Sequence, residues 1–395
     1  MMMSLNALSI DAMLPALDNI AADLGVLDGN DRQLVVGLYA IGMGLGCLLP
    51  GSLADRFGRR RIVLFSLGIY TLFSLITAFL QDFTILLIMR VLAGILGAGL
   101  LVAPIAIVRD LYDGDEMAKL MSLISAVFIT VPVLAPSLGQ GILLFGDWRV
   151  IFIILAVIGA LTFLWVYARL PETLAPEKRQ LVNVRVIARN MRVAMSDRSA
   201  AGYVIGGALL MGGVFGYVNS AQQLYQDHFG VGDSFPLLFG MTAAVMVVSN
   251  LTNSAIVTRF GARRVSHTGV LMFIAVSAVQ VWSSYAHPGD IRWFMPLMAI
   301  NLGLLGFLGA NFGSIAMQPF AQIAGSASSI QTFVRMFGAA SAGAVIGSFY
   351  DGTALPFAWS LLISSLIALL LVLYSEKGKL FRRLHMVPTR ERCVP

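Results

Sequence analysis

The stretch Gly51-Ser-Leu-Ala-Asp-Arg-Phe-Gly-Arg-Arg-Arg-Ile-Val-Leu64 holds the densest charge between two long apolar runs of the chain. Asp55, Arg56, Arg59, Arg60 and Arg61 fall within seven residues. So many charges cannot cross a bilayer, so the stretch belongs at its edge, and arginine excess assigns that edge to the cytoplasm. Gly51 closes one apolar segment and Ile62 opens the next, which demands a tight turn. Gly58 suits it, because glycine tolerates positive φ without a steric penalty. A shift of 203 residues reaches Ser254-Ala-Ile-Val-Thr-Arg-Phe-Gly-Ala-Arg-Arg264, which repeats Arg-Phe-Gly-x-Arg-Arg with Thr258 in place of Asp55. One half of the chain echoes the other.

Composition agrees with a bilayer setting. Of 395 residues, 58% are apolar and 12% charged, with a mean hydropathy of +0.82, whereas soluble domains carry roughly a quarter charged residues. The net charge of +6 sits at the ends of apolar runs, so nucleic acid is not an expected partner. Cys47 and Cys393 form no disulfide framework. Twelve apolar runs can be counted, near 4–22, 33–53, 62–80, 83–107, 119–144, 150–169, 200–225, 236–258, 265–284, 292–317, 326–349 and 355–375. Each is close to the ~20 residues that a helical span requires. The longest break, 170–199, contains Pro171, Glu172, Pro176, Glu177, Lys178, Arg179 and Arg185. It reads as a cytoplasmic linker, with a surface helix near Val184–Met195. The expected organisation is therefore a six-helix half at 1–169, the linker 170–199, a second six-helix half at 200–375 and a cytoplasmic tail at 376–395.

Of the 27 Lys and Arg, 22 fall on one side of the runs; Arg32, Arg149 and Arg292 fall on the other, and Arg90 and Arg335 lie inside runs. That asymmetry directs both termini to the cytoplasm. The first run lacks a basic start and a small-residue cleavage site, so it is not expected to be a removable signal. It also looks short. Under the 203-residue shift Met1 falls at Val204, although run seven begins near Ala200, and a start upstream of Met1 is expected. Glycine crowds run two (Gly42, Gly44, Gly46), run four (Gly94, Gly97, Gly99) and run eleven (Gly338, Gly343, Gly347). Small residues let membrane helices approach closely.

Three formal charges lie well inside the runs: Asp11, Arg90 and Arg335. Each costs roughly 2.5–3.5 kcal/mol at a helix centre on insertion scales, so each needs a partner or a water-filled cavity. Asp11 lies about eleven residues, and Arg90 about seven, from the outer ends of runs one and four, about 10–17 Å deep at ~1.5 Å per residue. Opposite charges at matching depth can form a static pair or trade partners. A low dielectric and a nearby guanidinium act on a carboxylate's hold on its proton in opposite directions. An arginine that moves relative to Asp11 would thereby switch it. Arg335 lies about ten residues from the inner end of run eleven, near mid-bilayer at the same rise. It either caps carbonyls of a neighbouring helix or faces a cavity, and in the second case substrates should be neutral or anionic. Pro132 and Pro136 each remove a backbone hydrogen bond from run five and bend it.

Seven positions of the opening stretch, Gly51, Leu53, Asp55, Arg56, Gly58, Arg59 and Arg60, match G-x-L-x-D-R-x-G-R-R, and the pattern resembles the loop 2–3 signature of the major facilitator superfamily. Further segments are similar to its bicyclomycin/chloramphenicol-resistance (Bcr/CflA) branch of proton-coupled drug exporters. They are Leu8-Ser-Ile-Asp-Ala-Met-Leu-Pro-Ala16, Arg109-Asp-Leu111, Leu134-Ala-Pro-Ser-Leu-Gly139 and Leu170-Pro-Glu-Thr-Leu174. The resemblance covers nearly the whole chain and implies an all-α membrane fold of twelve transmembrane helices in two pseudo-symmetric six-helix halves. It assigns proton coupling to Asp11 and Arg90. It assigns gating to Gly51, Asp55, Arg56, Gly58, Arg59, Arg60, Pro136 and Gly139, with Asp55 as a latch on the start of run eleven, Ala324–Ser329. Ala93 stands where the branch often has glutamine, and Gln140 where a glycine is common.

In the second half, Tyr217, Asn219, Gln222, Gln223, Asn301, Asn311, Gln331 and Arg335 are the candidates for a substrate cavity; bonds between helices are an equal alternative for them. The implied function is proton-driven export of drugs or other amphipathic small molecules by a bacterial inner-membrane protein. It is expected to act as a monomer without cofactor or metal. An exporter of one native metabolite, such as a sugar or nucleobase, is the rival. A membrane enzyme would need clustered Ser/His/Asp or metal ligands near an interface, and the sequence has no such cluster. A sensor would normally carry an extra soluble domain.

Overall fold

The computed structural model describes the chain except residues 27, 29, 113, 175–188, 190, 191, 194, 195 and 382–395, and the side chains at 109, 114, 115, 117–119, 121–123, 125–129, 233, 321–326 and 329. The expected surface helix near Val184–Met195 and most of the tail fall largely outside the described residues. The described residues form helices and turns, with no strand among them.

The first apolar run is broken. Helix α1 (Met2–Asp11) ends at Asp11, a single tight turn covers Leu14–Ala16 and α2 spans Leu17–Asp23. Pro15 opens the turn, where its missing N–H has no helical partner to lose. The second run is bent: α3 (Leu34–Gly46) and α4 (Pro50–Phe57) meet at 48°. Pro50 has no N–H to bond back to the preceding turn, and the break falls at Cys47–Leu49. The repeat has Asn253 at the corresponding place, and its helix runs through unbroken.

The remaining helices are α5 (Arg59–Thr77), α6 (Phe83–Gly97), α7 (Gly99–Leu111), α8 (Gly114–Leu143), α9 (Trp148–Arg169), α10 (Arg198–Gln222), α11 (Phe235–Phe260), α12 (Ala262–Ala286), α13 (Ile291–Met317), α14 (Ala324–Ser348) and α15 (Leu355–Ser375). Their starts follow local rules. Asp82, Asp147, Asp197 and Asp290 accept backbone N–H groups at the heads of α6, α9, α10 and α13, as good N-caps do. Among the described residues eight helices are long and apolar enough to cross a membrane, or nine if the bent pair is one span. The chain is thus an all-helical membrane protein.

Packing follows the glycines. A Cβ on Gly42 would collide with the Val91 carbonyl, one on Gly46 with that of Ile95, and one on Gly94 with that of Tyr39. Backbone therefore meets backbone between α3 and α6. Gly44, on another face of α3, lies against the Phe337 backbone of α14, where an added Cβ would come within 2.6 Å of Cα. Contacts of α3 with α14 and of α8 with α11 join residues 1–169 to residues 200–375. Under the 203-residue shift these two contacts exchange.

Candidate functional site

The charged turn of the opening stretch is tightly built. Gly58 has φ 102° and ψ 148°, and Gly261, 203 residues on, has φ 84° and ψ 145°. Both lie in the left-handed region that side chains rarely adopt. Gly58 also lacks a Cβ where the Glu172 carboxylate sits. Through that gap Glu172 Oε1 accepts the Arg59 backbone N–H at 2.8 Å. Arg59 is 4% exposed, and its side chain donates to Asp110 at 2.9 Å and pairs with Asp55 at 2.6 Å. Arg60 donates to the Tyr167 carbonyl at 2.7 Å and lies over the Tyr167 ring. The loop thus clamps the ends of α5, α7 and α9 together. Arg56 stacks on Phe57, and Gly51 lies in the first turn of α4. Gly58→Ala is expected to cost about 1–2 kcal/mol from the backbone alone, plus the lost Glu172 contact. Gly261→Ala meets open space and should cost less. Equal melting shifts of the two variants in detergent would deny Glu172 a role.

The second half builds a counterpart from different residues. Arg263 donates to Glu376 at 2.7 Å and to Gln318 at 2.8 Å. Tyr203 donates to Glu376 at 2.7 Å and its oxygen lies 2.9 Å from His267 Nε2. The Phe381 N–H occupies His267 Nδ1 at 2.9 Å, so Nε2 carries the proton. Burial pushes the Glu376 carboxyl up, but the Arg263 and Tyr203 bonds outweigh it, and the group lies below the usual glutamate range.

Asp11 ends α1 and is 4% exposed, with no hydrogen-bond or ion-pair partner among the described residues. Arg90 is also buried, but it does not pair with Asp11. Its Nε donates to the Val35 carbonyl and one terminal nitrogen to the Ser9 carbonyl, both at 2.8 Å, and the guanidinium lies over Tyr39 at 4.1 Å. Carbonyl oxygens in α1 and α3 thus satisfy the arginine, in place of the matched-depth pair the sequence suggested. Gly139 of α8 lies against the break beside Asp11, where an added Cβ would strike the Ala12 carbonyl and approach Pro15 to 3.2 Å. Pro136 is buried one turn earlier, inside α8 together with Pro132.

At the end opposite the basic loops, the two parts of the chain are tied together. Arg32 pairs with Asp18 and Asp227, Gln222 donates to Asp18, and Gln33 donates to Gln223. Gln223 donates to Asn30 at 3.0 Å, and Asn30 to the Tyr350 carbonyl at 3.1 Å. The bonds Arg32–Asp227, Gln222–Asp18, Gln33–Gln223, Gln223–Asn30 and Asn30–Tyr350 join residues 1–169 to residues 200–375 at this end. The sequence reading missed Asp18, Asn30, Arg32, Gln33 and Asp227; their signal was polar and charged residues at the rims of runs one, two and seven.

Toward the basic end lies a cavity of about 220 Å³ lined by α10, α13 and α14, with Tyr203, Leu210, Leu305, Phe312, Gln331 and Arg335 in its wall. Of the polar candidates, Gln331 and Arg335 line it. The others are engaged elsewhere. Tyr217 bonds Tyr225 and Thr242, Asn301 accepts from Ser277, Asn311 exchanges bonds with Asn253, and Gln222 serves the far end. Asn219 is buried against Gly37 of α3 and Gly347 of α14. Asp55 is occupied by Arg59, and no bond among the described residues joins it to α14.

The family model of the Major Facilitator Superfamily matches residues 1–344. The chain is 31% identical over 376 residues, 93% of its length and 91% of the other, to the uncharacterized MFS-type transporter YdgK of Bacillus subtilis. It is 29% identical to the bicyclomycin resistance protein homolog of Haemophilus influenzae, covering 89% and 88% of the two chains. It is 28% identical to the multidrug resistance protein MdtL of Escherichia coli O157:H7, covering 94% and 92%. Among solved structures, a D-xylose-proton symporter superposes with a TM-score of 0.71 at 16% identity, over 96% of both chains, and shares the fold. The bent second run, the loop built on Gly58 and the match over 344 residues lead to one conclusion: the chain belongs to the major facilitator superfamily.

Proposed function

We propose that the protein exports drugs or other amphipathic small molecules in exchange for protons, by alternating access across a bacterial inner membrane. As a member of this transporter family it moves small molecules and is not an enzyme. Twelve spans in two halves are the architecture we infer. Eight helices qualify by themselves and α3–α4 makes one bent span. The broken pair α1–α2, and the helices α8 and α14, coincide with apolar runs one, five and eleven. The exchange of the α3–α14 and α8–α11 contacts under the 203-residue shift supports the two halves. On the inferred orientation, with the basic loops and both termini in the cytoplasm, the tied end faces outward and the cavity faces inward.

Asp11 is the observation that carries the coupling. A carboxylate buried without a partner at a helix break is costly unless another state gives it water or a cation. Arg90, held by the Val35 carbonyl and by that of Ser9, two residues before Asp11, is the candidate for that exchange of partners. The substrate class follows the relatives named for bicyclomycin and multidrug resistance. No cofactor enters; the proton gradient supplies the free energy, and a single chain suffices because the cavity lies within it.

The test is proton-coupled uptake into inside-out vesicles across a panel of cationic, neutral and anionic compounds. Uptake of several unrelated amphiphiles, each accompanied by proton movement, is the expected result. Selective uptake of one sugar or nucleobase would replace the drug reading by the single-metabolite one, and uptake indifferent to the gradient would remove proton coupling.

Asp55 supplies a further prediction. When the cytoplasmic side closes, its carboxylate is expected to reach the N-terminus of α14, a contact worth about 0.3–1 kcal/mol. Asp55→Asn should raise the inward-open population accordingly, read as faster labelling of a cysteine at the exposed cavity position Ser328. Unchanged labelling with unchanged transport would reduce Asp55 to a loop charge.

A further inference from the structure

We propose that the cavity between α10, α13 and α14 receives the acid group of an amphipathic organic anion, with Arg335 as its counter-charge. This deepens the transporter reading by naming a substrate class, and it does not depend on proton coupling.

The two arginines inside apolar runs make the contrast. Arg90 is fully engaged by the Val35 and Ser9 carbonyls and the Tyr39 ring. Arg335 has no hydrogen-bond or ion-pair partner among the described residues, and its Nε is buried without an acceptor. The carbonyl-capping role that Arg90 performs is therefore not the role of Arg335. Its guanidinium lines the cavity instead, facing Gly313, where even an added Cβ would lie 3.4 Å from a terminal nitrogen.

A guanidinium carries five N–H donors and no acceptor; Arg335 is half-buried, and its Nε, buried without an acceptor, is unfavourably placed. Something must supply the acceptors. No aspartate or glutamate lines the cavity. The Gln331 amide is committed to the Ala316 carbonyl at 2.9 Å. The charged Glu376 is held by Arg263 and Tyr203. The protein wall leaves the charged acceptor to what enters the cavity, and an anion there would replace water with charge-assisted bonds.

A planar carboxylate or a sulfonate fits the fork of an arginine with two parallel bonds. Thr332 lies on the same wall one turn away and offers a hydroxyl donor to a second oxygen, and Ser328 lies a further turn along. The remaining wall of Leu210, Leu305 and Phe312 is apolar and suits a ring or chain. A permanently cationic head would meet a like charge in a low dielectric with no carboxylate to offset it.

The experiment uses three probes of one shape, 2-naphthoate, 2-naphthamide and 2-naphthyltrimethylammonium, titrated calorimetrically into the purified full chain in detergent. The wild type should bind naphthoate about tenfold or more tighter than naphthamide, a 1.4 kcal/mol difference, and should not bind the quaternary compound. Arg335→Gln should bring naphthoate down to the level of naphthamide while leaving naphthamide unchanged. Arg335→Lys should retain part of the preference, since it keeps the charge and loses the fork. Equal binding of all three probes, no binding of any, tightest binding of the cation, or equal losses of both other probes in Arg335→Gln would each overturn the proposal. Uptake of the same probes into inside-out vesicles separates the two readings. A head-group preference in detergent without proton-driven uptake would support the anion site and reject the proton-coupled exporter.

Discussion

Asp11→Asn is expected to abolish proton-driven transport while leaving the protein inserted and folded. The substitution keeps the shape of the side chain and removes its titrating group. In the structure the carboxylate ends α1 and has no partner among the described residues, so no described hydrogen bond is lost with it. The variant's melting temperature should therefore not fall. Drug-induced proton movement in vesicles should drop to that of protein-free vesicles, whereas exchange of labelled for unlabelled substrate without a gradient should persist. Undiminished proton movement would sink the coupling role. A collapse of folding would instead make Asp11 a structural residue whose partner is formed elsewhere in the cycle. Asp11→Glu adds a methylene at the helix break but retains the proton, so partial coupling in that variant would separate chemistry from shape.

The second large effect concerns one methyl group. Gly139→Ala should destabilise the observed conformer by about 1–3 kcal/mol, the usual cost of overpacking, because its Cβ would strike the Ala12 carbonyl. Backbone at a helix break cannot swing aside as a flexible side chain could, so α8 must lift from the turn at Leu14–Ala16. If the opposing conformer separates these elements, the same free energy appears as a shift of about 5- to 150-fold in their populations. Transport should slow, and cysteine labelling at the two ends of the protein should change in opposite directions. Gly141→Ala, two residues away, meets nothing within 4 Å and should behave as wild type. Equal behaviour of the two variants would show that α8 does not bear on the break.

Much of the fold was legible before any coordinates. Apolar runs of about 20 residues have few alternatives to a helix in a bilayer, and charge cannot stay within them cheaply. The basic loops therefore marked helix ends. The tight turn read at Gly58 recurs 203 residues on: Gly58 and Gly261 share one unusual backbone conformation, because a turn this tight leaves only glycine free to adopt it.

Hydropathy, however, records only that a segment prefers lipid to water. It could not show that the first run breaks at Asp11, since the break costs no apolar residue. Nor could it tell Arg90 from Arg335, two arginines in apolar runs with the same expected cost. Tertiary structure separates them, because the orientation of each helix decides whether carbonyls or a cavity lie within reach of the guanidinium. The same holds for Tyr217, Asn301 and Asn311, whose polarity was plain in the sequence but whose bonds to Thr242, Ser277 and Asn253 arise from which helix faces which. Composition and spacing determined that this chain is a bundle of membrane helices with three charges inside it. Only the packing decided which of those charges were satisfied by the protein itself, because a hydrogen bond depends on distances of a few ångström across elements that lie far apart in the chain.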